Sequence, residues 1–148
     1  MQMATDLGIR ISRGIYGEAT LLSEHTSSGK AVYFDDTIGC TPASADFEKT
    51  GEFFHAHTFD IPYSIMVPKK IDNVLVGSGK SVSCEHQGII RGMSTCMMLG
   101  QAAGAAAGIA AQNGASPREL DIRKVQRELI NQGVNLGSED RLKALGLE

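Results

Sequence analysis

"MSTCMMLGQAAGAAAGIAAQNG", Met93 to Gly114, is the stretch on which the fold turns. Gly100, Gly104 and Gly108 stand four apart, as do Ala103, Ala107 and Ala111, so on a helix two neighbouring stripes carry almost no side chain. Such a surface is expected to admit very close packing. In a bilayer this spacing would mark a helix dimerisation face, and Met93 to Ala111 is nearly long enough to cross. Ala and Gly drive insertion weakly, however, Gln101 sits mid-way, and no second span follows, which argues against a membrane partner. The remaining reading is a buried helix packed tightly on a sheet. Its first-turn N–H groups and positive potential are then available to a ligand.

Upstream, "NVLVGSGKSVS", Asn73 to Ser83, runs an apolar strand-like segment, Val74 to Val76, into Gly-Ser-Gly-Lys-Ser. Gly79, Lys80 and Ser81 satisfy the end of a triphosphate-binding P-loop. Val74 occupies the place of its first glycine, which leaves only Gly77 to Gly79 to form the turn, too few amides to wrap two phosphates. The Mg²⁺-holding Asp such a site needs has one candidate, in "FDD" at Phe34 to Asp36, in a polar setting. A glycine turn after a buried strand fits better than a nucleotide triphosphatase.

At 148 residues and 42% hydrophobic content, the chain can bury one core, as a compact domain or a piece of a larger one. Fourteen basic residues against 17 acidic ones leave a formal charge of −3 and no basic tract, which disfavours nucleic acid. Cys40, Cys84 and Cys96 form no CxxC pair and suit reduced thiols in the cytoplasm. "MQMATDLGIRISRG" shows no apolar signal core.

The character of the sequence changes near residue 60. Before it, "GIRISRGIYGEATLL" and "KAVYFDDTIG" read as short strands between polar turns such as "SEHTSSG" and "TPASADFEKTGE". After it, Pro62 and Pro68 bracket a short strand in "IPYSIMVP", and Val74 to Val76 reads as a second, more buried one. Beyond the long helix, Asp121 caps a helix whose Ile122, Val125, Leu129 and Ile130 form one apolar stripe, with Gly133 as its C′ residue. Ser138 then opens a short last helix, with Glu139 and Asp140 in its first turn.

His55, His57, Cys84 and His86 are the possible metal ligands, but their two i, i+2 pairs match no standard spacing, and no metal is expected. Neither Cys84 nor Cys96 has an identifiable oxyanion loop or orienting partner, so no catalytic nucleophile is assigned; Cys96 is expected simply to pack.

The run from Tyr63 to Leu129, which completes an I-P-Y begun at Ile61 and continues with V-P, D-N-V-L-V-G-S-G-K and R-G-M-S-T-C-M-M-L-G-Q-A-A-G in order, resembles the C-terminal part of a bacterial FAD-dependent oxidoreductase family. "SRGIYGEATLLSEH" and "FDDTIGCTPASADFE" are similar to segments further upstream in that family, so the likeness extends from about Gly8 to Leu136. It is most specific at Leu99 to Gly104.

The resemblance implies an α/β (or α+β) architecture: part of a glutathione-reductase-like FAD-binding fold, with a strand and a long buried small-residue helix. Residues 1–70 would be the C-terminal piece of a β-rich substrate-side domain, and residues 71–148 the segment that returns to the FAD domain. The G-x-G-x-x-G fingerprint with which that fold opens is not in this sequence, which therefore looks like a C-terminal portion whose N-terminal half lies elsewhere. FAD and a small-molecule substrate are the implied partners, and hydride transfer the implied chemistry. The implied cofactor-binding residues are Gly77, Gly79, Lys80 and Ser81 at the strand end, and Arg91, Gly92 and Met93 at the helix start, whose amides would face the flavin's N1 and C2 carbonyl. Lys80 stands where relatives often carry Arg, Ser64 where many carry Arg after I-P-Y, and Ser94 where a helix-starting Pro is usual. The alternative function is a non-catalytic interaction or scaffold remnant, in which the small-residue helix serves assembly.

Overall fold

A computed structural model describes residues 8–11, 13–27, 32–44 and 55–147, with backbone alone at 27, 42–44 and 55–57. Strand β1 (Thr37–Ser44) and strand β2 (His55–Pro62) form an antiparallel pair in which Thr37 faces Pro62 and Cys40 faces Asp60, with irregularities between those positions. One turn of helix, α1 (Glu24–Ser27), falls within the segment expected to be a polar turn.

Three longer helices follow, and each end has a local cause. Helix α2 (Met93–Asn113), helix α3 (Ile122–Asn131) and helix α4 (Glu139–Leu145) all run into a left-handed glycine: Gly114, Gly133 and Gly146, with φ of 61°, 83° and 67°. Beyond each glycine the next amide reaches back to close the last turn, as in Val134 N–H to Leu129 O at 2.9 Å and Leu147 N–H to Leu142 O at 3.0 Å. The expected caps are present: the side chain of Asp121 accepts from the Arg123 amide, and that of Ser138 from the Arg141 amide.

The main core joins both parts of the sequence. Leu21, Ile38, Phe59, Ile61, Ile65 and Met66 pack with Val82, Ile90, Leu99, Ala102, Val125 and Leu129. A fully buried leucine such as Leu99 or Leu129 contributes about 1.5–3 kcal/mol. A smaller cluster, Leu136, Leu145 and Leu147, gathers the tail against Ile130, Val134 and Leu142.

Several segments depart from expectation. Among the described residues the run from Gly8 to Leu22 holds only isolated bridges, at Gly17 and Leu21, and β1 continues through Thr41–Ser44, expected to be a polar turn. Tyr63–Met66 is a 3-10 turn rather than a strand, because Pro62 ends β2 and the buried side chains of Tyr63, Ile65 and Met66 turn into the core together. Val74 to Val76 forms no strand among the described residues: its one backbone bond is Val76 N–H to Met66 O at 2.9 Å, and Val74 is 41% exposed. Extended backbone becomes a strand only beside a partner, and no described strand runs alongside it.

Helix α2 is also buried on one face rather than all round. Thr95, Leu99, Ala102, Ala106 and Ala110 face the core, whereas Gly104 and Gly108 have nothing nearby and Met93 and Met97 are 85% and 74% exposed. The glycine stripe expected against a sheet is thus open on the described surface, apart from Gly100, which lies beside the Gly77 carbonyl. No helix among the described residues is long and apolar enough to cross a membrane.

Candidate functional site

Arg118 anchors the approach to the glycine turn. Its guanidinium pairs with Glu18 and with Asp72, the latter at 2.9 Å, and donates to the Pro68 carbonyl. This ties the segment from Pro68 to Asp72 to the connection between α2 and α3. Asn73 follows with φ of 58°, the left-handed region that Asn tolerates better than branched residues.

The turn itself is set by two close approaches. A Cβ on Gly77 would meet that of Ala103 at 3.0 Å and the Gly100 Cα at 3.4 Å, so the turn lies directly on α2. A Cβ on Gly79 would fall 1.8 Å from the Ile90 carbonyl oxygen, so only glycine lets the turn touch the Ile90–Arg91 backbone. Within the turn the Ser78 carbonyl accepts from the amides of Ser81 (3.0 Å) and Val82 (3.1 Å), and Ser81 O accepts from Ile15 N–H at 2.9 Å.

The chain next makes a 3-10 turn at Gln87–Ile89 and enters α2 through Arg91 and Gly92. Gly92 is extended, with ψ of 152°, and offers no side-chain cap. The Cys96 amide, bonded to Gly92 O at 2.9 Å, is the first to close the helix. The amides of Met93, Ser94 and Thr95 consequently have no hydrogen-bond partner among the described residues, and Gly92, Met93 and Ser94 are exposed. No charged side chain occurs anywhere along α2 to compensate its positive end.

All seven sequence-predicted residues therefore converge on one place: Gly77, Gly79, Lys80 and Ser81 on the turn, Arg91, Gly92 and Met93 on the helix start, joined where Gly79 meets Ile90 and Arg91. The Lys80 ammonium has no partner among the described residues. Arg91 donates its amide to Gln87 O at 2.9 Å and its carbonyl accepts from the Cys96 thiol at 3.5 Å.

Sequence reading missed Ser78 and the second role of Cys96. The Ser78 hydroxyl lies 3.8 Å from Cys96 Sγ and accepts from the Lys80 amide at 3.3 Å, so the two side chains tie turn to helix. Ser78 was visible only as a small residue between two glycines, and Cys96 as core. Cys84 is a free thiol that donates to His86 O at 3.3 Å, and burial pushes it up to about 11. Among the described residues no three His, Cys, Asp or Glu side chains cluster as metal ligands; the His55 and His57 side chains lie outside them.

A family model described as FAD dependent oxidoreductase matches residues 1–129, most of the chain. The chain belongs to that family. Membership makes FAD its cofactor and oxidation–reduction its field of chemistry, on a mixed α/β scaffold that corresponds to part of an FAD-binding fold. Comparison with curated proteins and with solved structures returned no match.

Proposed function

We propose that the chain forms the C-terminal part of an FAD-dependent oxidoreductase, with residues 71–148 returning to the FAD domain and residues 1–70 contributing to the substrate side. The observation that carries the reading is the start of α2, where three amides and the Lys80 ammonium, none with a partner among the described residues, lie beside a glycine turn.

These groups fit the cofactor chemically. FAD, when bound, supplies an acceptor for hydride. Amide donors at Met93, Ser94 and Thr95, at the positive end of a 21-residue helix, favour negative charge placed against them. Lys80 adds a positive charge suited to a phosphate, as a point charge rather than a fork. Gly77 and Gly79 hold the turn down on α2 and Ile90, so this surface has a fixed shape before anything binds.

The same reading explains why the site is open. The sequence has no G-x-G-x-x-G, so the pyrophosphate must be held mainly by another segment. Val74 to Val76 and the Gly104 and Gly108 face, both uncovered among the described residues, are surfaces such a segment would cover. Co-expression with a dinucleotide-binding half from the same family tests this. The pair is expected to co-purify with FAD, and Lys80→Gln to weaken its retention. Co-purification of the two halves without flavin would leave an assembly role and exclude the redox one.

A further inference from the structure

The tail beyond the family match, Gly133 to Leu147, is attached to the rest of the molecule in an unusual way. Leu136, Leu142, Leu145 and Leu147 pack among themselves and with Ile130 in a small cluster, which Val134 joins to the main core. Gly133 and Gly137, with φ of 83° and 125°, flank the linker that carries Asn135 and Leu136. The side chain of Arg141 crosses from this tail to the backbone before β1 and to β2. Arg141 Nη2 donates to Phe34 O at 2.6 Å and to Asp60 Oδ2 at 3.0 Å, while its guanidinium lies 4.9 Å over the Tyr33 ring. Asp60 is buried on β2 and also accepts the Phe34 amide at 2.9 Å.

Beneath the linker lies a cleft of about 390 Å³. One wall is Met97, Met98 and Gln101 of α2, the other is the linker from Gly133 to Asn135, and Cys40 of β1 lies at the junction. The Cys40 thiol donates to Asn135 O at 3.9 Å, a long contact that ends when the linker lifts. We propose that Gly133 to Leu147 is a hinged strap, latched by Arg141 onto Asp60 and Phe34, whose release opens the cleft between β1 and the first turns of α2.

The latch is built to be reversible. Arg141 Nε is buried without an acceptor among the described residues, so the closed state carries one unmade hydrogen bond. A buried ion pair of this kind also offsets its attraction with desolvation of both charges. The hinges are glycines already in conformations that other residues rarely adopt. Opening would therefore be a local event, separable from unfolding of the main core.

The three free cysteines report on it directly. Cys40 lies beside the strap, whereas Cys84 lies beyond the glycine turn and Cys96 in the first turn of α2, its thiol held by Ser78 and the Arg91 carbonyl rather than by the strap. Alkylation of the whole chain by iodoacetamide, read by peptide mass spectrometry, is expected to rise at least about tenfold at Cys40 in Arg141→Met, with Cys84 and Cys96 within about twofold of the wild type. Thiol chemistry alone would act in the opposite direction, because the unpaired Asp60 charge raises the Cys40 pKa further. Hydrogen exchange should accelerate in residues 133–147 and not in α2. Should the variant fold poorly, the wild type in urea below its transition is expected to label at Cys40 before Cys84. A parallel rise at all three cysteines, or no change at Cys40, would overturn the proposal.

Discussion

Gly79 and Ile90 touch through backbone alone: a methyl group on Gly79 would stand 1.8 Å from the Ile90 carbonyl oxygen. The contact fixes the glycine turn against the start of α2. Gly79→Ala must push the two apart, at a cost of about 1–3 kcal/mol by analogy with overpacked cores. Urea denaturation is expected to show that loss, whereas Gly104→Ala, with nothing within 4 Å, should be neutral or stabilising.

Asn73 takes a left-handed conformation that orients the chain into Val74. Asn73→Gly should keep full stability or nearly so, and Asn73→Val should lose about 1–2 kcal/mol, since branching at Cβ penalises that region. Thermal melts of the two variants check the contrast; equal melting temperatures would show that the turn relaxes.

Gln126 is fully buried, and its side-chain amide donates to Asp35 O at 2.8 Å and Thr37 O at 3.0 Å while accepting from Arg123 at 2.7 Å. It holds the start of β1 onto α3. Gln126→Leu removes the donor to Thr37 O, while Asp35 O keeps the Arg123 guanidinium at 2.9 Å, and is expected to cost about 1–3 kcal/mol for the group left unsatisfied. Denaturant midpoints measure the loss, and an unchanged midpoint would mean that water replaces the amide.

Legibility in the sequence followed side-chain contrast. Asp121, Ser138 and Gly133 announce helix ends through chemistry that acts within a few residues, and α3 and α4 lie where those signals put them. Which face of α2 is buried was not legible, because Ala and Gly on all sides give almost no apolar contrast. Nothing in the sequence marks Gln126, Asp60 and Arg141 for burial, since only the tertiary fold supplies the partners that let them be buried. In the candidate site, the glycines and the helix start were visible as a pattern. The Ser78–Cys96 contact was not, because it joins residues 18 apart in sequence across a turn.

Tyr63 and Cys84 predict an alkaline limit to stability. Burial disfavours the charged forms and raises Tyr63 from 10.0 to about 12 and Cys84 from 9.0 to about 11, so each ionises more easily once unfolded. Their contribution is full below pH 9 and is lost as pH climbs through the folded values. Urea midpoints should fall between pH 9 and 12, and Tyr63→Phe should flatten the upper part of that fall. A midpoint constant over this range would contradict the burial of both groups.

The central claim is that this chain contributes to a flavin site it does not complete alone. The most direct measurement is equilibration of the purified chain with FAD, followed by gel filtration and the visible flavin spectrum of the protein peak. The account predicts a colourless peak, because the sequence has no G-x-G-x-x-G motif for the pyrophosphate. A yellow peak with one FAD per chain would contradict it.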